Sequence, residues 1–136
     1  MSNLSTLSLK NITKLVVIGQ PISYIEGLSN TELLKELWLP DCSIEKIENL
    51  GFCLNLQKLY LYSNQITQIE GLDSLKRLLI LSLSGNNITE IKNMHKLEAL
   101  QELYLSGNKI KYIGEALANN KNLKILNLSG NPIYNI

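Results

Sequence analysis

Two cysteines, one histidine and a recurring glutamate are the residues of this chain whose types could do chemistry. Cys42 and Cys53 stand eleven residues apart. A thiolate pair can hold a metal, but a metal needs further ligands, and the sequence contains no C-x-x-C or C-x-x-H. The expectation is buried, reduced thiols and no metal site. His95, the only histidine, would need a nucleophile and an orienting acid to act as a base. Neither surrounds it, so it reads as a surface residue beside Met94. Glu26, Glu48 and Glu70 have the residue type of an acid–base pair, yet they recur at one position of a repeated pattern and read as solvated turn residues. No glycine-rich phosphate loop is present. Asn-x-Ser/Thr triplets begin at Asn3, Asn11, Asn87 and Asn127, and matter only in a secreted chain. The sequence therefore predicts no catalytic residue, no enzyme activity and no cofactor.

Recognition is better served by the aromatic residues. In LYLYSNQITQIEGL (59–72), Leu59 and Leu61 alternate with Tyr60 and Tyr62, the pattern of a strand with one buried face and one wet face. Two tyrosines on a wet face call for a reason, and the elements that carry them supply one.

Those elements repeat. Ile12, Leu34, Leu56, Leu78 and Leu100 fall 22 residues apart, and Leu123 follows one residue late. The unit is L-x-x-L-x-L-x-x-N-x-I-x-x-I-x-x-L-x-x-L, complete in Leu56, Leu59, Leu61, Asn64, Ile66, Ile69, Leu72 and Leu75. A single unit cannot enclose its own leucines, so units must stack and share one core. The L-x-L segment is expected to form a short strand with its leucines inward, pairing in parallel with its neighbours along the concave side of an arc. Asn64, Asn86, Asn108 and Asn131 are the expected structural ladder, since an amide can both donate to and accept from backbone groups that would otherwise be buried unpaired. Gln20 and Cys42 take that position in the first two units. The return path, such as IEGL at 25–28 and 69–72, is too short for a long helix and suits extended chain or 3₁₀ turns. The fifth unit is one residue longer, with a helical turn expected around Glu115–Asn119.

The residues between the strand leucines form columns on the concave face. The central column is Val16, Trp38, Tyr60, Ser82, Tyr104, Asn127; the one before it is Lys14, Glu36, Lys58, Ile80, Glu102, Ile125. The column after it is Ile18, Pro40, Tyr62, Ser84, Ser106, Ser129. Strand spacing of about 4.8 Å brings Trp38, Tyr60 and Tyr62 into one patch, with a shallow dip at Ser82 before Tyr104. Aromatic side chains bury area at low entropic cost and dominate interface hot spots. Trp38, Tyr60, Tyr62 and Tyr104 are the expected partner-binding anchors. Lys14, Glu36, Lys58 and Glu102 would set register and specificity.

The repeat resembles the SDS22-like class of leucine-rich repeats over about residues 12–136. The resemblance implies an α/β leucine-rich-repeat solenoid: a right-handed arc with a concave parallel β-sheet and extended or 3₁₀ convex turns. Its units would be 12–33, 34–55, 56–77, 78–99, 100–122 and a partial 123–136, after an N-terminal cap or partial repeat at 1–11, all in one domain. The class includes a regulatory subunit of protein phosphatase 1, a U2 snRNP protein of the spliceosome and several ciliary proteins. LKELWLPDCSIEKIENL (34–50) with LQKLYLYSNQITQIEGL (56–72) is locally most similar to ciliary leucine-rich-repeat proteins. The implied role is a non-enzymatic scaffold or assembly subunit that binds a partner protein on its concave face. The alternatives are a phosphatase 1 regulatory subunit of the SDS22 type and a U2 snRNP-like splicing scaffold.

Composition agrees with that class. The chain has 136 residues, 45% of them hydrophobic and 18% charged, with a net charge of +1, which excludes a disordered chain. Bulk charge gives no sign of direct nucleic-acid contact. No apolar run approaches the roughly 18–20 residues that span a bilayer, so no membrane partner is expected. Residues 1–11 lack a basic start followed by an apolar core. The expected compartment is intracellular and cytoplasmic, with cilium, flagellum and nucleus as the places the class implies. The sixth unit halts at Ile136 without a cap, and terminal self-association is the expectation for an uncovered end.

Overall fold

The computed structural model describes Leu4 and residues 7–136. The expected cap at 1–11 and the Asn3 triplet fall partly outside the described residues. Within that stretch Leu4 and Leu9 are buried while Leu7 is exposed.

Each repeat contributes one three-residue strand: β1 (Lys14–Val16), β2 (Glu36–Trp38), β3 (Lys58–Tyr60), β4 (Ile80–Ser82), β5 (Glu102–Tyr104) and β6 (Ile125–Asn127). They form one parallel sheet in chain order. The register follows the 22-residue repeat, so that Leu15, Leu37, Leu59, Leu81, Leu103 and Leu126 align. The strands are short because only three residues per coil face a neighbour before the chain must turn. Pairing nevertheless continues past each strand: the N–H of Leu39, Leu61, Leu83 and Leu105 donates to Tyr60, Ser82, Tyr104 and Asn127 carbonyls at 2.8–2.9 Å. Leu37, Leu59, Leu81 and Leu103 are fully buried, as are Leu39, Leu61, Leu83 and Leu105 one alternation later. One core therefore runs through the stacked coils from Leu4 to Ile110, and Leu123, Leu128 and Ile133 of the last coil pack partly against it. Strand β6 has no neighbour beyond it, and Ile125 and Leu126 are exposed there.

The asparagine ladder performs the expected double duty. Asn64 Oδ1 accepts from the backbone N–H of Cys42 and Ile44 at 2.9 and 3.0 Å. Its Nδ2 donates to the carbonyls of Leu39 and Leu61 at 2.9 Å. Asn86, Asn108 and Asn131 donate to the same relative carbonyls. Cys42 replaces the amide in part: its thiol donates to Val17 O and Pro40 O at 3.3 and 3.2 Å, but cannot accept the two N–H groups an asparagine would. Gln20 does not take the ladder role expected of it. It is exposed, and it is its own backbone carbonyl that accepts the Ile22 N–H, because among the described residues no strand pairs with β1 on that side.

The sheet ends at a left-handed residue in every coil: Gly19, Asp41, Ser63, Gly85, Gly107 and Gly130 all have φ between 54° and 69°. The return path has no α-helix among the described residues. It consists of turns such as Leu34 N–H to Thr31 O and Leu75 N–H to Leu72 O, both 3.0 Å. The helical turn expected around Glu115–Asn119 takes the form of successive four-residue turns, with the N–H groups of Ala116, Ala118 and Asn120 donating to the carbonyls of Ile113, Glu115 and Leu117 at 3.0–3.2 Å. The extra residue of this coil is taken up in these 3₁₀-type turns, with no α-helix.

Candidate protein-interaction face

Strand alternation puts one side of the sheet into the core and leaves the other free for recognition. The free side carries the three predicted columns in their predicted order. Val16, Trp38, Tyr60, Ser82, Tyr104 and Asn127 are direct register partners, as are Lys14, Glu36, Lys58, Ile80, Glu102 and Ile125. The outer column is held by Gly19 N–H to Pro40 O, Asp41 N–H to Tyr62 O, Ser63 N–H to Ser84 O and their successors.

Within this frame the aromatic side chains organise themselves unevenly. Trp38 and Tyr60 stack with ring centroids 3.7 Å apart and planes 22° from parallel. Lys14 places its ammonium 5.5 Å from the centre of the Trp38 ring, a cation–π arrangement. Across three strands the order is therefore cation, indole, phenol. Tyr62 stands one alternation beyond the end of β3, partly buried. Tyr104 is not part of the stack, because Ser82 separates it from Tyr60. Ser82 lies between Tyr60 and Tyr104 in its column and is 8% exposed, as a small residue recessed between two large ones would be.

The acids of the face bond to aromatic groups on their own strands. Glu36 Oε1 accepts from Trp38 Nε1 at 3.3 Å, and Glu102 Oε1 accepts from the Tyr104 hydroxyl at 2.6 Å. Residues i and i+2 of a strand share a face, which is why Glu-Leu-Trp and Glu-Leu-Tyr give the same arrangement twice. These bonds fix the rings in place. They also leave Lys14 and Lys58 without a carboxylate in contact, since the one ion pair among the described residues joins Lys96 to Asp73 at 3.7 Å. Burial, then the charges of Glu36 and Glu102, raise the pKa of Tyr60. The Glu102 hydrogen bond is the main reason the Tyr104 hydroxyl is also raised.

The remaining candidates lie away from this face. Cys42 and Cys53 are buried free thiols, Cys53 beside the Thr31 hydroxyl at 3.2 Å, and burial raises both pKa values. His95 is exposed, and Glu26, Glu48 and Glu70 are half-buried on the return path. Among the described residues no group of three or more His, Cys, Asp or Glu could hold a metal. Among the described residues no helix is long and apolar enough to cross a membrane. A second ladder escaped sequence reasoning. Gly27, Asn49, Gly71 and Asn93 share one repeat position and one left-handed backbone, and Asn49 and Asn93 donate to Ile25 O and Ile69 O at 2.8 Å. The signal was present as the Gly/Asn alternation just before Leu28, Leu50, Leu72 and Met94.

A leucine-rich-repeat family model matches residues 7–136. The chain belongs to the leucine-rich-repeat family. Solved leucine-rich-repeat structures resemble it in three dimensions. Internalin C2 of Listeria monocytogenes is 32% identical with a TM-score of 0.83, over 94% of this chain and 57% of that one. Another Listeria monocytogenes internalin, InlF, is 30% identical with a TM-score of 0.86, over 94% of this chain and 38% of that one. The leucine-rich-repeat ectodomain of the receptor kinase SOBIR1 of Arabidopsis thaliana is 29% identical with a TM-score of 0.69, over 89% and 70%. The chain thus spans little more than half of one internalin and less than half of the other. No curated protein matches it. The leucine-rich-repeat fold is typical of protein–protein interaction modules.

Proposed function

We propose that this leucine-rich-repeat chain binds a partner protein across the free face of its sheet, as a scaffold or assembly subunit and not as a catalyst. The observation that carries the reading is the Trp38–Tyr60 stack, with Lys14 over its outer ring. Neither ring is used by the core, and exposed Val16 and Ile18 extend the apolar area beside them. An apolar patch with a polar rim is the ordinary mark of an interaction site. Trp38, Tyr60, Tyr62 and Tyr104 are the proposed anchors; Lys14, Glu36, Lys58 and Glu102 set register on the partner.

The SDS22-like pattern and the local similarity of 34–72 to ciliary proteins support an intracellular assembly role in a cilium or flagellum. The buried free thiols fit a reducing compartment. A phosphatase 1 regulatory subunit is the second reading, favoured by the aromatics, but Lys14 and Lys58 depart from the acid-rich face that role implies. A splicing scaffold would act through an RNA-binding partner, given the net charge of +1.

Capture of partners by the wild-type chain and by the Trp38→Ala/Tyr60→Ala double variant tests the face. Loss of one specific protein from the variant is expected, and its identity separates axonemal, phosphatase and splicing readings. Equal capture of every protein by both chains sinks the assignment.

A further inference from the structure

The charges of the sheet face are divided between its two halves. On the β1–β3 side Lys14, Glu36 and Lys58 occupy successive strands, so the one acid there has a lysine in the strand on either side. On the β4–β6 side the same column reads Ile80, Glu102, Ile125. Glu102 is therefore a carboxylate with isoleucine on both sides and no lysine in an adjacent strand of its column. Its hydrogen bond is to the neutral Tyr104 hydroxyl at 2.6 Å, which orients the carboxylate without neutralising it. Ile125 is 44% exposed, so apolar surface beside the acid is open to solvent. Tyr104 and Tyr60 stand on either side of Ser82 in the next column, so aromatic rings lie beside the carboxylate.

An uncompensated carboxylate, flanking aliphatic surface and nearby aromatic rings together match one kind of side chain. Arginine and lysine lay an aliphatic stem along apolar surface and keep a cation at its tip; the cation is drawn to a carboxylate and to aromatic faces. The chain itself already makes one such contact, Lys14 over Trp38. We infer that the partner docks a basic side chain, arginine or lysine, against Glu102, with its stem over Ile80 and Ile125 and its charge beside Tyr104. This rests on the reading that the sheet face is the docking surface, and adds the chemistry of the partner at one end of it.

The test is titration of the full chain, labelled for amide NMR, with three blocked peptides: Gly-Arg-Gly-Arg-Gly and its counterparts with Glu or Leu in place of Arg. The arginine peptide is expected to shift the amides of Glu102, Tyr104 and Ile125, and to bind about fivefold more weakly to Glu102→Gln, the loss of one partly exposed ion pair. The unperturbed remainder of the Glu102→Gln spectrum shows that the fold is kept. Shifts spread over Glu26, Glu48 and Glu70 and unchanged by Glu102→Gln overturn both the basic docking site and the preference for the sheet face. Shifts of the sheet-face amides by the glutamate or leucine peptide but not by the arginine peptide overturn the inference and leave the sheet-face reading standing.

Discussion

Trp38 and Tyr60, 22 residues apart in the chain, stack with centroids 3.7 Å apart. They meet because parallel strands in exact repeat register place equivalent positions side by side. The stack is a product of the core leucines beneath it, but contributes nothing to enclosing that core.

Asn64 holds four buried backbone groups through a single side chain. Leaving such groups unpaired costs about 1–3 kcal/mol each, partly relieved by water. Asn64→Ala should lower stability by about 3 kcal/mol or more, and Asn131→Ala, whose site is only partly buried, by about 1 kcal/mol. Urea unfolding measures both; equal losses would contradict the ladder account.

Gly71 has φ +71°, and a Cβ there would sit 2.5 Å from Ile47 O. Left-handed backbone costs an L-residue about 1–2 kcal/mol before any clash. Gly71→Ala should therefore destabilise by about 2–4 kcal/mol. At Gly51 a Cβ meets nothing within 4 Å, and Gly51→Ala should shift the unfolding midpoint little. Similar effects at the two sites would refute the steric argument.

Tyr60 and Tyr104 titrate above the ordinary tyrosine value of 10.0. The unfolded chain therefore loses these protons first as pH rises. Their contribution to stability is full below pH about 10 and is lost as pH climbs through the raised folded values. Tyrosinate absorbance should show the late titration, and Glu102→Gln should bring Tyr104 back toward the ordinary value. An unmoved Tyr104 would show that the Glu102 bond is not the cause.

Burial raises the pKa of both Cys42 and Cys53, and their side chains are out of solvent. The thiolate is the reactive species. Alkylation by iodoacetamide should follow opening of the coils and become fast only in urea. Rapid modification of the native chain would place a thiol at the surface.

Much of this was legible in the sequence, for identifiable reasons. Leu59, Leu61 and Asn64 were readable because every coil imposes the same geometry on the same positions, so the period declares both core and ladder. The columns of the sheet face followed from alternation alone. What alternation cannot give is the choice a side chain makes among neighbours at similar distance. Glu36 lies next to lysines on both flanking strands, yet bonds to Trp38 on its own. The dip at Ser82 follows from residue size alone, a serine set between Tyr60 and Tyr104 in one column. At 115–119 the extra residue of the fifth unit marks where the helical turn lies, while its i→i+3 bonding is set by the short return path.

The central claim is that a partner covers the free face of the sheet at Trp38 and Tyr60. Hydroxyl-radical footprinting of the chain, alone and bound to its captured partner, tests it directly. Trp38, Tyr60 and Tyr104 should lose reactivity in the complex, while Tyr24 and Phe52, exposed on other surfaces, should keep theirs. Protection of Tyr24 and Phe52 with Trp38 and Tyr60 still reactive would contradict the claim.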